Sequence, residues 1–216
     1  MIVFKYTKCD GAEYLSHLDL LRHIIRTLKR AGIKVNLSGG FHKHPRIYLN
    51  NPLGLGIKSV AEYGAIDCEF TPNFKELFNA NSPNGVKCVA AVEADTNPNF
   101  ANAITSCKYI FSGIYLVEPT LILKNEHIPL TDLRGRETDI RPKIISLEKK
   151  DGNLIAVLKS GNENLRPDLF ADYLEKTFGC TTHGILKVEA YGEHDFLKVK
   201  DNSEKVIVKV KIRTKR

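Results

Sequence analysis

Apolar and polar positions alternate along residues 2–7 (IVFKYT), the period of two that a half-buried strand requires. The period then lengthens. Ser16, followed three residues on by Asp19, makes a capping box, and Leu18, Leu21, Ile25 and Leu28 follow at helical spacing, with Gly32 as the stop. Residues 33–37 read as strand, Gly39-Gly40 as a turn, 41–50 as a second extended piece and 52–56 (PLGLG) as loop. Alternation over 62–70, a short helix over 73–80 and a strand over 86–94 complete a β-α-β-β-α-β order, the ferredoxin-like arrangement.

The same order returns more loosely in the second half. Residues 108–117 read as strand, 140–149 and 153–160 as a hairpin across Asp151-Gly152, and 185–191 as a final return strand. Pro167 opens a helix over 167–178 that Gly179 closes. No first helix is legible, and 118–139 reads as an irregular connection. A polar, proline-bearing junction at 95–103 separates the halves. The expected fold class is therefore α+β: two tandem ferredoxin-like units, the second degenerate, with domains over 1–97 and 98–216. Beyond them Val206, Val208, Val210 and Ile212 alternate with Lys209, Lys211, Arg213 and Lys215. That row of cations either guards a sheet edge or forms a rail for a phosphate backbone.

Charge sharpens the picture. The net +7 is concentrated: residues 16–46 carry seven Lys/Arg against one acid, and 198–216 carry eight against two, leaving the remainder net acidic. Segregated positive charge of this kind meets polyanions. On the predicted helix Arg22, Arg26, Lys29 and Arg30 share one exposed sector with no acid to neutralise it. Ser16 is a cap rather than a nucleophile. The five cysteines are odd in number and widely spaced, which excludes CxxC metal signatures and argues against a disulfide framework. No apolar run reaches membrane-spanning length, and no secretory signal is legible, so a cytoplasmic location is expected.

The turn SGGFHKHPR is the sharpest local feature. Gly39 and Gly40 permit positive φ and close approach of a ligand to bare amides, while Lys43 and Arg46 add fixed charge. His42 and His44 would fall on one side of an extended strand. Four readings compete: a metal pair, general acid–base cleavage of a phosphodiester, phosphate or base contact without chemistry, and a purely structural turn. Arg141 and Arg166, each before a proline, either face a shared site or pair with Asp139 and Asp168. No Walker loop, dinucleotide fingerprint or nucleophile elbow is present, and no cofactor is expected.

The run Ser16-His17-Leu18-Asp19-Leu20-Leu21-Arg22, with Ala31-Gly32, Ser38, Gly40-Phe41 and His44-Pro45-Arg46-Ile47, resembles the radical-SAM-linked protein family. Pro52-Leu53-Gly54-Leu55-Gly56, Glu62-Tyr63, Asp139-Ile140-Arg141-Pro142 and Arg166-Pro167-Asp168 fit the same pattern. That family's turn usually reads GFNPHPK; here His42 and Lys43 replace Asn-Pro, which weakens a mechanism using two histidines. The resemblance implies a place beside, or fused to, radical SAM enzymes with a cobalamin-binding domain, and genomic company that points toward RNA or ribosome modification.

Three functions follow as expectations. The first is an RNA-binding accessory to a radical SAM enzyme, without chemistry of its own. In it Arg22, Arg26, Lys29, Arg30, Gly39, Gly40, Lys43, His44 and Arg46 meet the RNA, Phe41 or Tyr48 stacks a base, and Lys209, Lys211 and Arg213 form a second rail. The second is an RNA-processing enzyme with His44 as acid–base and Arg46 or Lys43 stabilising developing charge. The third is an interaction subunit docking its basic faces on an acidic protein.

Overall fold

A computed structural model describes residues 1–131 and 135–192. The first six elements are β1 (Ile2–Lys8), α1 (His17–Arg30), β2 (Ile47–Leu49), β3 (Lys58–Ile66), α2 (Phe74–Asn81) and β4 (Cys88–Glu93). They are followed by α3 (Phe100–Ala103), β5 (Ile104–Ser112), α4 (Pro119–Leu123), β6 (Pro129–Thr131), β7 (Glu137–Asp139), β8 (Ile144–Lys150), β9 (Asn153–Lys159), α5 (Pro167–Phe178) and β10 (Gly184–Gly192). The chain is mixed α+β around one mostly antiparallel eight-stranded sheet, in the order β4-β1-β3-β10-β5-β9-β8 with β2 also on β3.

The two halves meet at β3. Its one edge pairs with β1 throughout, while its other edge carries β2 beside residues 64–66 and β10, in parallel, beside Lys58 and Ser59. The first half is ordered β4-β1-β3-β2 and the second β10-β5-β9-β8, so the two four-stranded halves share a seam and one sheet.

Alternation places successive side chains on opposite faces. Ile2, Phe4, Tyr6 and Ile66 face a core closed by α1 and α2 through Leu20, Ile24, Leu28, Phe74 and Phe78. Val3, Ala61, Tyr63 and Ala65 face the other side, in a core that continues across the seam into Phe111, Leu154 and the α5 residues Phe170 and Leu174. Each Val, Leu, Ile or Phe side chain among these contributes about 1.5–3 kcal/mol on burial.

Three sequence expectations are corrected. The buried stripe of α1 is Leu20, Ile24, Thr27 and Leu28, and Leu18 is 61% exposed. Six of its fourteen residues are Leu or Ile, enough for two overlapping stripes, and packing against α2 selects the second. The extended pieces at 33–37 and 41–50 reduce to single bridges, Val35–Cys68 and Leu37–Pro45, before β2 begins. The connection at 118–139 holds the short helix α4 and the β6–β7 pair. The expected strand bearing Lys209, Lys211, Arg213 and Lys215 lies outside the described residues.

Candidate functional site: a basic helix and turn, and a cavity at the seam

The Ser16 cap forms as its sequence requires. Its Oγ accepts from the Asp19 N–H at 3.2 Å and donates to the Asp19 carboxylate at 2.7 Å. Asp19 also pairs with Arg22 at 2.9 Å, so the basic sector of α1 does contain one acid. Arg30 turns away toward α2, donating to the Asn81 carbonyl from Nε at 3.0 Å and Nη2 at 2.8 Å, which satisfies a helix C-terminus. Arg26 and Lys29 are exposed and form no side-chain hydrogen bond or ion pair among the described residues. His23 registers the field on this helix: burial, then the positive charges of Arg30, Lys87 and Arg26, hold its imidazole below the usual value.

The turn is closed at its base. Ser38 N–H donates to the His44 carbonyl at 2.8 Å, His44 N–H donates to Ser38 Oγ at 3.0 Å, and Leu37 bridges Pro45. Gly40 takes φ 91°, a conformation that glycine adopts without cost, and the chain bends from Gly39 to His42. Phe41 stands at the tip, 96% exposed, with the His42 ring edge-on at 5.1 Å. The two histidines therefore do not line one face of a strand: residues 39–42 bend, and the pairing resumes only at Pro45. The His44 ring is exposed and, among the described residues, no side chain hydrogen-bonds to it. Among the described residues Lys43 is exposed and has no side-chain partner, whereas Arg46 is held by Asp67 at 2.9 Å and by the Tyr48 hydroxyl at 3.3 Å.

Arg141 and Arg166 do not share a site. Arg141 closes the end of α4 and the turn after it, donating to the carbonyls of Leu123 (3.3 Å) and Asn125 (3.2 Å). The Asp139 carboxylate instead accepts the Ile128 and Arg141 N–H groups and pairs with His127, which hold it down to about 2. Arg166 forms a two-pronged pair with Asp168 at the start of α5.

A second site emerges only in three dimensions. Where β2 ends and β10 begins along β3, the sheet edge is filled by side chains. Glu62 accepts from Lys187 (2.9 Å), Ser59 (2.8 Å) and Asn50 (3.1 Å), and Glu189 accepts from Lys5 (3.2 Å) and Tyr63 (3.1 Å). Burial alone would push the Lys187 ammonium down, but the Glu62 carboxylate that accepts from it, with Glu189 nearby, outweighs burial and its pKa rises. Above Lys187 opens a cavity of about 350 Å³. The Pro52-Leu53-Gly54 loop and Arg166-Pro167-Asp168, far apart in sequence, both line it, and a Cβ at Gly54 would come within 3.8 Å of the Asp168 carboxyl. Phe100 and Tyr109 supply ring surface, and Cys107 lies beside them with its thiol raised by burial. Composition and spacing gave no hint of this site; its one sequence signal was the pair of proline-bearing motifs. Among the described residues no cluster of three or more His, Cys, Asp or Glu is placed to hold a metal, and no helix is long and apolar enough to cross a membrane.

Residues 1–167 match DUF2344, an uncharacterized protein family conserved in bacteria, and the chain belongs to that family. No curated protein matches the chain. Among solved structures it is similar to a chain of the crystal structure of a Cbf5-Nop10-Gar1 complex, at 10% identity and a TM-score of 0.47. The likeness covers 90% of this chain and 50% of that one, and at this distance it carries no functional weight.

Proposed function

We propose that this DUF2344 protein is a cytoplasmic RNA-binding accessory, acting with a radical SAM enzyme in RNA or ribosome modification and contributing no chemistry of its own. The observation that carries the RNA reading is the Gly-Gly turn: a phenylalanine 96% exposed at its tip, beside the exposed Lys43. An exposed ring next to free cations is the arrangement on which single-stranded bases stack while phosphates are neutralised, each stack worth about 1–3 kcal/mol. Arg26 and Lys29 on α1 extend the positive surface. Arg22, Arg30 and Arg46 are already engaged within the protein and serve first to shape it. Lys209, Lys211 and Arg213 would add a second rail. The radical SAM partnership rests on the sequence resemblance alone.

We read each four-stranded half as a ferredoxin-like unit, with α4 and the β6–β7 pair standing where the second unit lacks its first long helix. Nothing favours the enzyme reading of His44, since a general base needs a partner to fix its tautomer and its ring has none among the described residues. The test is Phe41→Ala. At 96% exposure the substitution leaves folding unchanged, and it should weaken binding of a single-stranded oligoribonucleotide by about 5-fold or more. Equal affinity for the variant and the parent removes Phe41 from the interface and, with it, the observation on which the RNA reading stands.

A further inference from the structure

We infer that the cavity at the seam is a nucleobase pocket, taking one neutral heterocyclic base from a free nucleoside or from a nucleotide extruded from single-stranded RNA. The argument starts from charge. Lys187 faces the cavity but is 3% exposed and committed to Glu62, and Arg166 at the mouth is committed to Asp168. Each cation is matched by an acid, so the site offers a free phosphate or carboxylate no net attraction, and an ion of either sign would have to break a formed pair.

The walls favour a flat, largely apolar solute. Phe100 and Tyr109, 3% and 5% exposed, present ring surface, and Pro52, Leu53, Ile104 and Pro167 present aliphatic surface. A purely apolar ligand is disfavoured in turn, because Asn164 and Ser160 lie among those walls and bring an amide and a hydroxyl. Apolar faces with a few convergent amide and hydroxyl groups are what a base requires: its π-faces bury against rings and its edge exchanges hydrogen bonds. Size agrees. A volume of about 350 Å³ lies at the small end of ligand pockets and holds about a dozen waters, which suits a nucleoside and is tight for a dinucleotide.

This inference goes beyond the RNA-binding reading and stands on a different observation, and the test separates the two. Uridine, cytidine, adenosine and guanosine are titrated calorimetrically into the full-length protein at low and at high salt. Uncharged nucleosides gain nothing from the cations of the basic helix and turn, and any stacking on Phe41 is separated by the Asn164 variants below. At least one should bind with a Kd on the order of 0.1 mM, unchanged by salt. Asn164 is exposed, so its variants keep the fold: Asn164→Ala should weaken binding about 2- to 10-fold, and Asn164→Trp should abolish it by filling the mouth. Competition of the bound nucleoside by a single-stranded oligoribonucleotide identifies extruded RNA as the source of the base; nucleoside binding without competition identifies free nucleoside. Absence of binding for all four nucleosides at millimolar concentration, or binding that survives Asn164→Trp unchanged, overturns the assignment even if the protein binds RNA through its basic surface.

Discussion

Replacing Lys187 by methionine tests the join between the halves most sharply. Lys187 and Glu62 are each 4% exposed at the side chain and 2.9 Å apart, on β10 of the second half and β3 of the first. Methionine keeps the stem and much of the volume, so the loss is one of charge rather than of packing. Among the described residues Glu62 then retains the Ser59 hydroxyl and the Asn50 amide, at 2.8 and 3.1 Å, as donors to a carboxylate held inside the sheet. Breaking a buried pair from one side costs about 3–5 kcal/mol, a large part of the roughly 5–15 kcal/mol that stabilises a typical protein. With a urea slope of about 2–3 kcal/mol/M, the midpoint should fall by about 1–2 M. The double variant Glu62→Gln/Lys187→Met removes both charges and should recover at least about 1 kcal/mol of that loss. Urea unfolding followed by circular dichroism reads all of these quantities. A single-variant loss below about 1 kcal/mol, or a double variant no more stable than the sum of its singles, would refute the reasoning.

Three further outcomes follow from the same physics. Burial pushes the Cys9 thiol up to about 12 and raises the Tyr6, Tyr63 and Tyr109 phenols. The unfolded chain releases these protons from about pH 8.5 to 10 while the folded chain holds them, so the unfolded state binds fewer protons and stability falls as pH rises through that window. The slope is about 1.4 kcal/mol per unit for each group fully ionised only when unfolded, and a flat urea midpoint from about pH 8 to 10 would contradict it. Ser16→Ala removes the α1 cap and should cost about 1 kcal/mol, seen as a Tm lower by about 2–4 °C; an unchanged Tm would deny the cap its role. Gly85→Ala places a Cβ 2.1 Å from the Cys9 carbonyl at φ 93°, so it should destabilise by more than about 4 kcal/mol, and a soluble variant of parental stability would contradict that geometry.

Where structure is specified locally, it was legible. The α5 limits, 167–178, follow from Pro167 at the first turn and Gly179 in the left-handed cap, and Asp151-Gly152 turns β8 into β9 as an Asp-Gly pair does. The Ser16 cap was legible for the same reason. The rotation of α1 was not, because its apolar residues fit two stripes and only tertiary packing chooses between them. Pairing of charges was legible only between near neighbours: Arg166 meets Asp168, but Arg30 finds a carbonyl on another helix and Arg141 two carbonyls well before it in sequence. The cavity at the seam was invisible for a stronger reason. Asn50, Phe100, Tyr109, Asn164 and Lys187 come from separate segments, and no periodicity in the chain encodes a parallel contact between β3 and β10.

The most direct test of RNA binding is the dependence of affinity on salt, measured for the parent and for Arg26→Ala/Lys29→Ala/Lys43→Ala with one single-stranded oligoribonucleotide. Three cations without a partner among the described residues correspond to a slope of log affinity against log salt of about −2, steeper if the segment bearing Lys209, Lys211 and Arg213 also engages. The account predicts binding by the parent with at least that slope and a slope shallower by about 2 in the triple variant. A salt-independent affinity, no affinity for RNA at low salt, or the same slope in both proteins would contradict it.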